Sequence, residues 1–304
     1  MTVTVAIPTY NRARTLRQTL EGVAGQDFPR DQLEVLVIDN NSTDGTRGVV
    51  AGFAGAAPAP RLILETRQGL DHARNRAIAE ASGEIVLFAD DDILVAPDWI
   101  RQMLAPFASD PEGRIGAVGG EVIPVFPDGL PAWLADWHSP LAFRPDAGPI
   151  CAAQSPMGAN LAFRKSVFAK VGLFRTELDR AAGNFFSGGD TEMIRRVREA
   201  GWAVWFAPAA AVRHQMPAGR TTFRYAARHA FDSARSRVID RAGRPRAAAY
   251  LLTRLPVNLI RALGFVLLAA VSFPVSPGAG KKSLVRAWRS TGYVYQAARS
   301  LLGG

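Results

Sequence analysis

Along the first ninety residues, short apolar runs alternate with segments whose apolar positions recur at helical spacing. "VTVAI" (3–7), "LEVLVIDN" (33–40), "RLILET" (61–66) and "EIVLFA" (84–89) are apolar almost throughout, which predicts strands buried on both faces. Between them, "RTLRQTLEGVAGQ" (14–26), "TRGVVAGFA" (46–54) and "GLDHARNRAIAEAS" (69–82) predict helices, the last ending before Gly83. This alternation predicts an α/β fold: a Rossmann-like, mainly parallel sheet with helices on both faces. Ligands of such sheets gather at the carboxyl ends of the strands. Those ends are "PTYNR", "DNNSTDG", "RQG" and "DDD".

From Trp99 to about Phe206 the pattern loosens. "APDWIRQMLAPF" opens a helix behind Pro97 and Asp98, and "GAVGGEVIPVF" reads as a strand. A Trp- and Pro-rich loop follows over 127–140. A strand turning into a helix (157–172) comes next, then a Gly-rich turn, a helix and a strand (188–208). Three regions result: residues 1–98 and 99–212 as two halves of one α/β domain, and 213–304 as a basic helical tail.

The 48% hydrophobic and 21% charged residues suit a globular protein, but the net charge of +9 is unevenly placed. Residues 1–212 carry 20 Lys/Arg and 25 Asp/Glu, a balance of −5, while 213–304 carry 16 and 2, a balance of +14. Such a block seeks phosphate. Within it, residues 247–274 are strongly apolar, with an uninterrupted core after Arg261 shorter than the ~20 residues of a spanning helix. Arg254, Asn258 and Arg261 share one helical face there, with leucines filling much of the rest. The combination predicts an interfacial helix on an anionic membrane rather than nucleic-acid binding, with a shallow or re-entrant insertion broken at Pro274; the alternative is a helical hairpin packed on the catalytic domain. The amino terminus lacks a basic and apolar leader pattern and Cys151 is the single cysteine, so a reducing, cytoplasmic-side location is expected.

Asp90, Asp91 and Asp92 follow a buried strand directly. Three adjacent carboxylates repel one another, so a positive partner is expected, and hard oxygen ligands at a strand end suit Mg²⁺ or Mn²⁺ beside a diphosphate. The alternative is a solvated acidic loop before the helix at Asp98. Asp39 closes the second strand, where its carboxylate is able to accept from a nucleobase N–H while its neighbours cap the next helix. Pro8 and Asn11 suggest a turn after the first strand, with Thr9 and Tyr10 lining a base pocket, and Arg74 suits either a solvated helix face or a phosphate contact.

"VAIPTYNRARTLRQTL", "VLVIDNNSTDGT", "GLDHARNRAIAEASGEIVLFADDDILVAPDWI", "GANLAFRKSVFAKVGLF" and "GGDTEMIRRVREAGW" resemble, in order and spacing, the motifs of family 2 glycosyltransferases of the GT-A fold, over about residues 1–215. The resemblance is greatest to bacterial enzymes of exopolysaccharide and surface-glycan synthesis. It implies a nucleotide-sugar donor, Mg²⁺ or Mn²⁺, inversion at the anomeric carbon, and a glycan or polyprenyl-linked acceptor. Carried over by residue, it implies donor contacts at Pro8, Thr9, Tyr10, Asn11, Asp39 (at the base) and Arg74. The acidic triplet fits two registers: Asp90 and Asp92 as the outer members of D-x-D, or Asp90 near the ribose with Asp91 on the metal. Asp91 or Asp92 is favoured on the metal, with His214 near the metal or diphosphate. Asp190 falls on the catalytic base, and Gly189 stands where the family often has glutamate. No Q-x-x-R-W segment follows, so a non-processive enzyme is expected. A nucleotidyltransferase of the same fold class would need a Gly-rich phosphate loop that "PTYNR" is not. A catalytically silent scaffold would not need Asp190 opposite the triplet.

Overall fold

The computed structural model describes residues 1–134, 146–151, 154–179 and 183–302. The loop expected over 127–140 therefore lies outside the described residues from 135 onward. The chain separates into two units, one taking Met1–Val125, Pro140–Thr176 and Gly189–Gln215, the other Phe126–Ser139, Glu177–Gly188 and Met216–Gly304.

In the first unit the strands are β1 (Val3–Thr9), β2 (Leu33–Asp39), β3 (Arg61–Leu64), β4 (Ile85–Ala89), β5 (Ile93–Val95), β6 (Ile115–Val125), β7 (Gly148–Pro149), β8 (Asn160–Arg164) and β9 (Ala203–Gln215). The helices are α1 (Ala13–Ala24), α2 (Thr46–Ala51), α3 (Leu70–Glu80), α4 (Trp99–Ala108), α5 (Lys165–Val171) and α6 (Gly189–Glu199). Among the described residues, all nine strands join one sheet in the order β3-β2-β1-β4-β8-β6-β9-β5, with β7 also on β9. Strands β3, β2, β1 and β4 are parallel, as their unbroken apolar character predicts. Beyond β4 the sheet is mixed: β8 runs against both β4 and β6, and β5 against β9.

Helices cover both faces. One apolar layer joins Leu16, Leu20 and Val23 of α1 to Trp99, Ile100 and Met103 of α4 beneath the sheet. The other joins Ala73, Ala77 and Ile78 of α3 to Met193, Ile194 and Val197 of α6. Burying whole side chains on both faces supplies the main drive for this fold, at roughly 1.5–3 kcal/mol for each large aliphatic group.

The second unit is helical: α7 (Phe223–Ala242), α8 (Ala247–Ser272) and α9 (Pro277–Leu301). Thr222 caps α7 by accepting from the Tyr225 N–H, and Ser276 caps α9 with Pro277 at its first turn. Val238, Leu251 and Ala297 form a small shared core. Helix α8 runs unbroken past Pro256 for 26 residues, long and apolar enough to cross a membrane by length and composition. Counting only the stretch after Arg261 makes it look too short, because the helix already begins at Ala247. Only Leu251 and Ala269 on it are buried, while Leu252, Ile260, Leu263, Leu267 and Val271 lie exposed.

Candidate active site

The carboxyl ends of the parallel strands carry the residues singled out in the sequence. Thr9 and Asp39 are register partners at the ends of β1 and β2. Asp39 is fully buried; its Oδ1 accepts from the Ser42 N–H at 2.8 Å and its Oδ2 from Arg47 Nε at 2.9 Å. Asn11 takes the left-handed conformation (φ 53°), which asparagine tolerates better than most residues, and its Oδ1 accepts from the Thr43 N–H at 2.8 Å. This bond ties the two strand-end loops together. Tyr10 is exposed, whereas Pro8 lies within β1 rather than in the turn after it, beyond the last residue that pairs with β4. Proline is tolerated in strands where a ladder bond is not required.

After β4 the chain passes through the three aspartates into β5, whose Ile93 pairs with His214 on β9. That pairing brings His214 Nε2 to 3.0 Å from Asp92 Oδ1 and 3.5 Å from Asp90 Oδ2. One ligand atom each from Asp90, Asp92 and His214 lies within 4.8 Å of the other two. Burial opposes a charge on His214, but the two carboxylates outweigh it and raise the imidazole to about 9. Asp91 turns elsewhere: its Oδ2 accepts from Thr9 Oγ1 at 2.7 Å. Desolvation and repulsion from Asp92 push its carboxyl up to about 7. The grouped donor atoms thus come from the outer members of the triplet and His214. Two hard carboxylate oxygens suit Mg²⁺ or Mn²⁺, and the imidazole nitrogen, once a cation displaces its proton, adds a donor better suited to Mn²⁺.

A second charged group stands at the same edge. Arg74, buried on α3, places Nη1 2.7 Å from Asp190 Oδ1 and 3.0 Å from Asp71 Oδ1. Its guanidinium also lies 5.3 Å from the centre of the Phe174 ring. Burial disfavours the arginine charge, but Asp190, Asp71 and Asp90 together outweigh that penalty and raise its pKa. The attraction from Asp90 connects this group electrostatically to the His214 group. Asp190, in the first turn of α6, also accepts from the Gly158 N–H at 2.9 Å through Oδ2. Two glycines make room for this packing. A Cβ at position 158 would run into Arg74 and Asp190, and one at 189 would stand 2.5 Å from Asp71 Oδ2. A side chain at 189, such as the glutamate that the resemblance implies for many members, would have to displace Asp71.

Residues 4–172 match the family described as Glycosyl transferase family 2. The chain belongs to glycosyl transferase family 2. Glycosyltransferase AglE of Haloferax volcanii is 31% identical over 206 residues, covering 67% of this chain and 64% of AglE, just under two thirds of its length. The glucosyl-dolichyl phosphate glucuronosyltransferase of the same organism is 26% identical over 229 residues, covering 73% of this chain and 72% of that protein. Among solved structures, the mannosyltransferase PcManGT of Pyrobaculum calidifontis, in complex with GDP-Man and Mn²⁺, superposes with a TM-score of 0.60 at 25% identity. That superposition covers 99% of this chain and 86% of PcManGT.

Some supports of this family 2 site escape sequence reasoning. Asn40 donates to the carbonyls of Glu65 and Arg67 and accepts from the Gly69 N–H, locking the ends of β2 and β3 to the start of α3. Asn160 accepts from Trp99 Nε1 at 3.0 Å and donates to the carbonyls of Glu121 and Ala210. Asp71 reads as an ordinary helix-entry acid, and its one sequence signal is its i,i+3 spacing to Arg74.

Proposed function

We propose that the chain moves a sugar from a nucleotide-sugar donor to a hydroxyl of a glycan or polyprenyl-linked acceptor, in one displacement that inverts the anomeric carbon. The observation that carries this reading is the meeting of Asp190 and the Asp90, Asp92 and His214 group at one sheet edge, with Arg74 between them electrostatically. Pro8, Thr9, Tyr10, Asn11 and Asp39 line the nucleoside end, with Asp39 at the base and Asp90 serving the ribose side as well. Asp90, Asp92 and His214 would hold Mg²⁺ or Mn²⁺, which when bound supplies positive charge to the diphosphate leaving group. Asp91 fixes Thr9.

Asp190 acts as the general base. The acceptor O–H proton passes to its carboxylate as the acceptor oxygen bonds to the sugar C1. The C1–O bond to the diphosphate breaks, and its electron pair leaves with the nucleoside diphosphate. Arg74 and the Gly158 N–H hold the carboxylate in place during this transfer.

The donor class draws support from PcManGT and its GDP-Man, and a polyprenyl-linked acceptor from the glucosyl-dolichyl phosphate relative. The exposed apolar face of α8 supports attachment to a membrane. Replacing Asp190 with Asn should abolish sugar transfer, a loss of at least about 100-fold in kcat, while nucleotide-sugar binding by calorimetry stays nearly intact. EDTA should halt transfer and Mn²⁺ restore it. Full turnover in the Asn variant would overturn the assignment.

A further inference from the structure

The second unit contains an open groove of about 470 Å³ walled by α7, α8 and α9. Arg237, Arg241 and Arg244 of α7, Arg254 and Arg261 of α8, and Arg289 of α9 line it, with Asp240 as its one acidic residue. Asp240 pairs with Arg244. Among the described residues, Arg237, Arg241, Arg254, Arg261 and Arg289 have no carboxylate partner.

Six guanidinium groups around one cavity repel each other, and helices do not gather them without a reason on the other side of the balance. Arg289 shows the strain: partial desolvation and repulsion from Arg237 and Arg286 lower its pKa. Stacking on Tyr250 by Arg241 (4.6 Å from the ring centre) and Arg254 (5.6 Å) orients two of the cations without neutralising them. Arg241 Nε, Arg244 Nε and Tyr293 Oη are buried in the groove's lining without a hydrogen-bond partner among the described residues. Buried donors of this kind are ordinarily satisfied, and these three belong to residues that line an open groove with room for an acceptor.

We propose that this groove binds a phosphate or diphosphate group, separate from the donor site. Its arginines offer planar forks that match phosphate oxygens in pairs, and Tyr293 adds a neutral donor. The groove-lining face of α8, with Arg254, Asn258 and Arg261, is opposite the exposed face with Leu252, Leu263 and Leu267. One helix therefore carries both a phosphate-binding and an apolar surface, which suits a phosphate fixed to a lipid. This deepens the membrane attachment proposed above and does not depend on sugar transfer.

The test uses the full chain in EDTA, which removes any cation-dependent diphosphate binding at the strand ends. Inorganic pyrophosphate is titrated calorimetrically, and phosphatidylcholine vesicles with or without phosphatidylglycerol are used in sedimentation. Arg254→Ala combined with Arg289→Ala should weaken binding at least tenfold, whereas Arg14→Ala with Arg17→Ala, an equal loss of exposed charge on α1, should not. If the double variant loses its helical circular dichroism, Arg254→Gln alone serves, since Arg254 is solvent-exposed and its removal leaves no buried gap. A groove-dependent effect on pyrophosphate alone supports a soluble phosphate ligand. A groove-dependent effect on phosphatidylglycerol vesicles supports a lipid headgroup. Equal weakening by both pairs, or by neither, with both probes would overturn the site.

Discussion

At the scale of single residues, the site depends on how closely three side chains are pressed against backbone that has no room to spare. Gly158 lets its own N–H reach Asp190 because no Cβ stands in the way of the Arg74–Asp190 pair. Gly158→Ala should displace that pair by a fraction of an ångström or more. Misplacing a base by about 1 Å costs on the order of 100-fold in rate, so kcat should fall by that order with KM for the donor little changed. A steady-state titration of donor at saturating acceptor reads both. The variant should also remain folded, because the clash is with side chains rather than with a strand.

At the scale of elements, α8 makes the plainest claim. Its exposed leucines would each gain roughly 1.5–3 kcal/mol on leaving water, about a tenfold change in partition or more per residue. Leu263→Glu with Leu267→Glu should therefore abolish vesicle association in a sedimentation assay while sugar transfer to a soluble acceptor persists. The parallel strands β1 to β4 were legible in the sequence because strands buried on both faces read as apolar runs, and α1, α3 and α6 because one helix face repeats every three to four residues. Strand β5 was not legible. Its three residues follow three aspartates, and its existence depends on pairing with β9, more than a hundred residues away. The chemistry of the triplet was visible in residue type and place, but the direction of each carboxylate was not. Asp91 turns to Thr9 on β1, while Asp90 and Asp92 turn to His214, which the β5–β9 pairing brings alongside them. Pro8 was misplaced for a related reason: a proline in sequence signals a turn, and the end of the β4 pairing is what permits it inside β1.

For the whole molecule, acid should be the condition that loosens the fold. Glu65 is held to about 2 by the hydrogen bond from Arg67, and Glu34 is lowered by bonds from Ser82, Thr4 and Arg61 that overcome its desolvation. A carboxylate lowered in the folded state stabilises it above its unfolded value of 4.5 and loses that contribution as pH falls through the folded value. The melting temperature should therefore decline from about pH 4.5 toward pH 2, and Glu65→Gln should lower it at pH 7 while changing it little at pH 2. Differential scanning calorimetry across that range checks both. Glu65 neighbours the Asn40 lock, so protonating it should also loosen the carboxyl ends of β2 and β3.

The tight approach of Gly189 to Asp71 ties together the side chains that these two positions can hold. A glutamate at 189 requires the carboxylate at 71 to withdraw, so what one position holds bears directly on the other. Gly189→Glu alone should push Asp71 off Arg74 and lower the melting temperature, and adding Asp71→Ala should recover part of that loss.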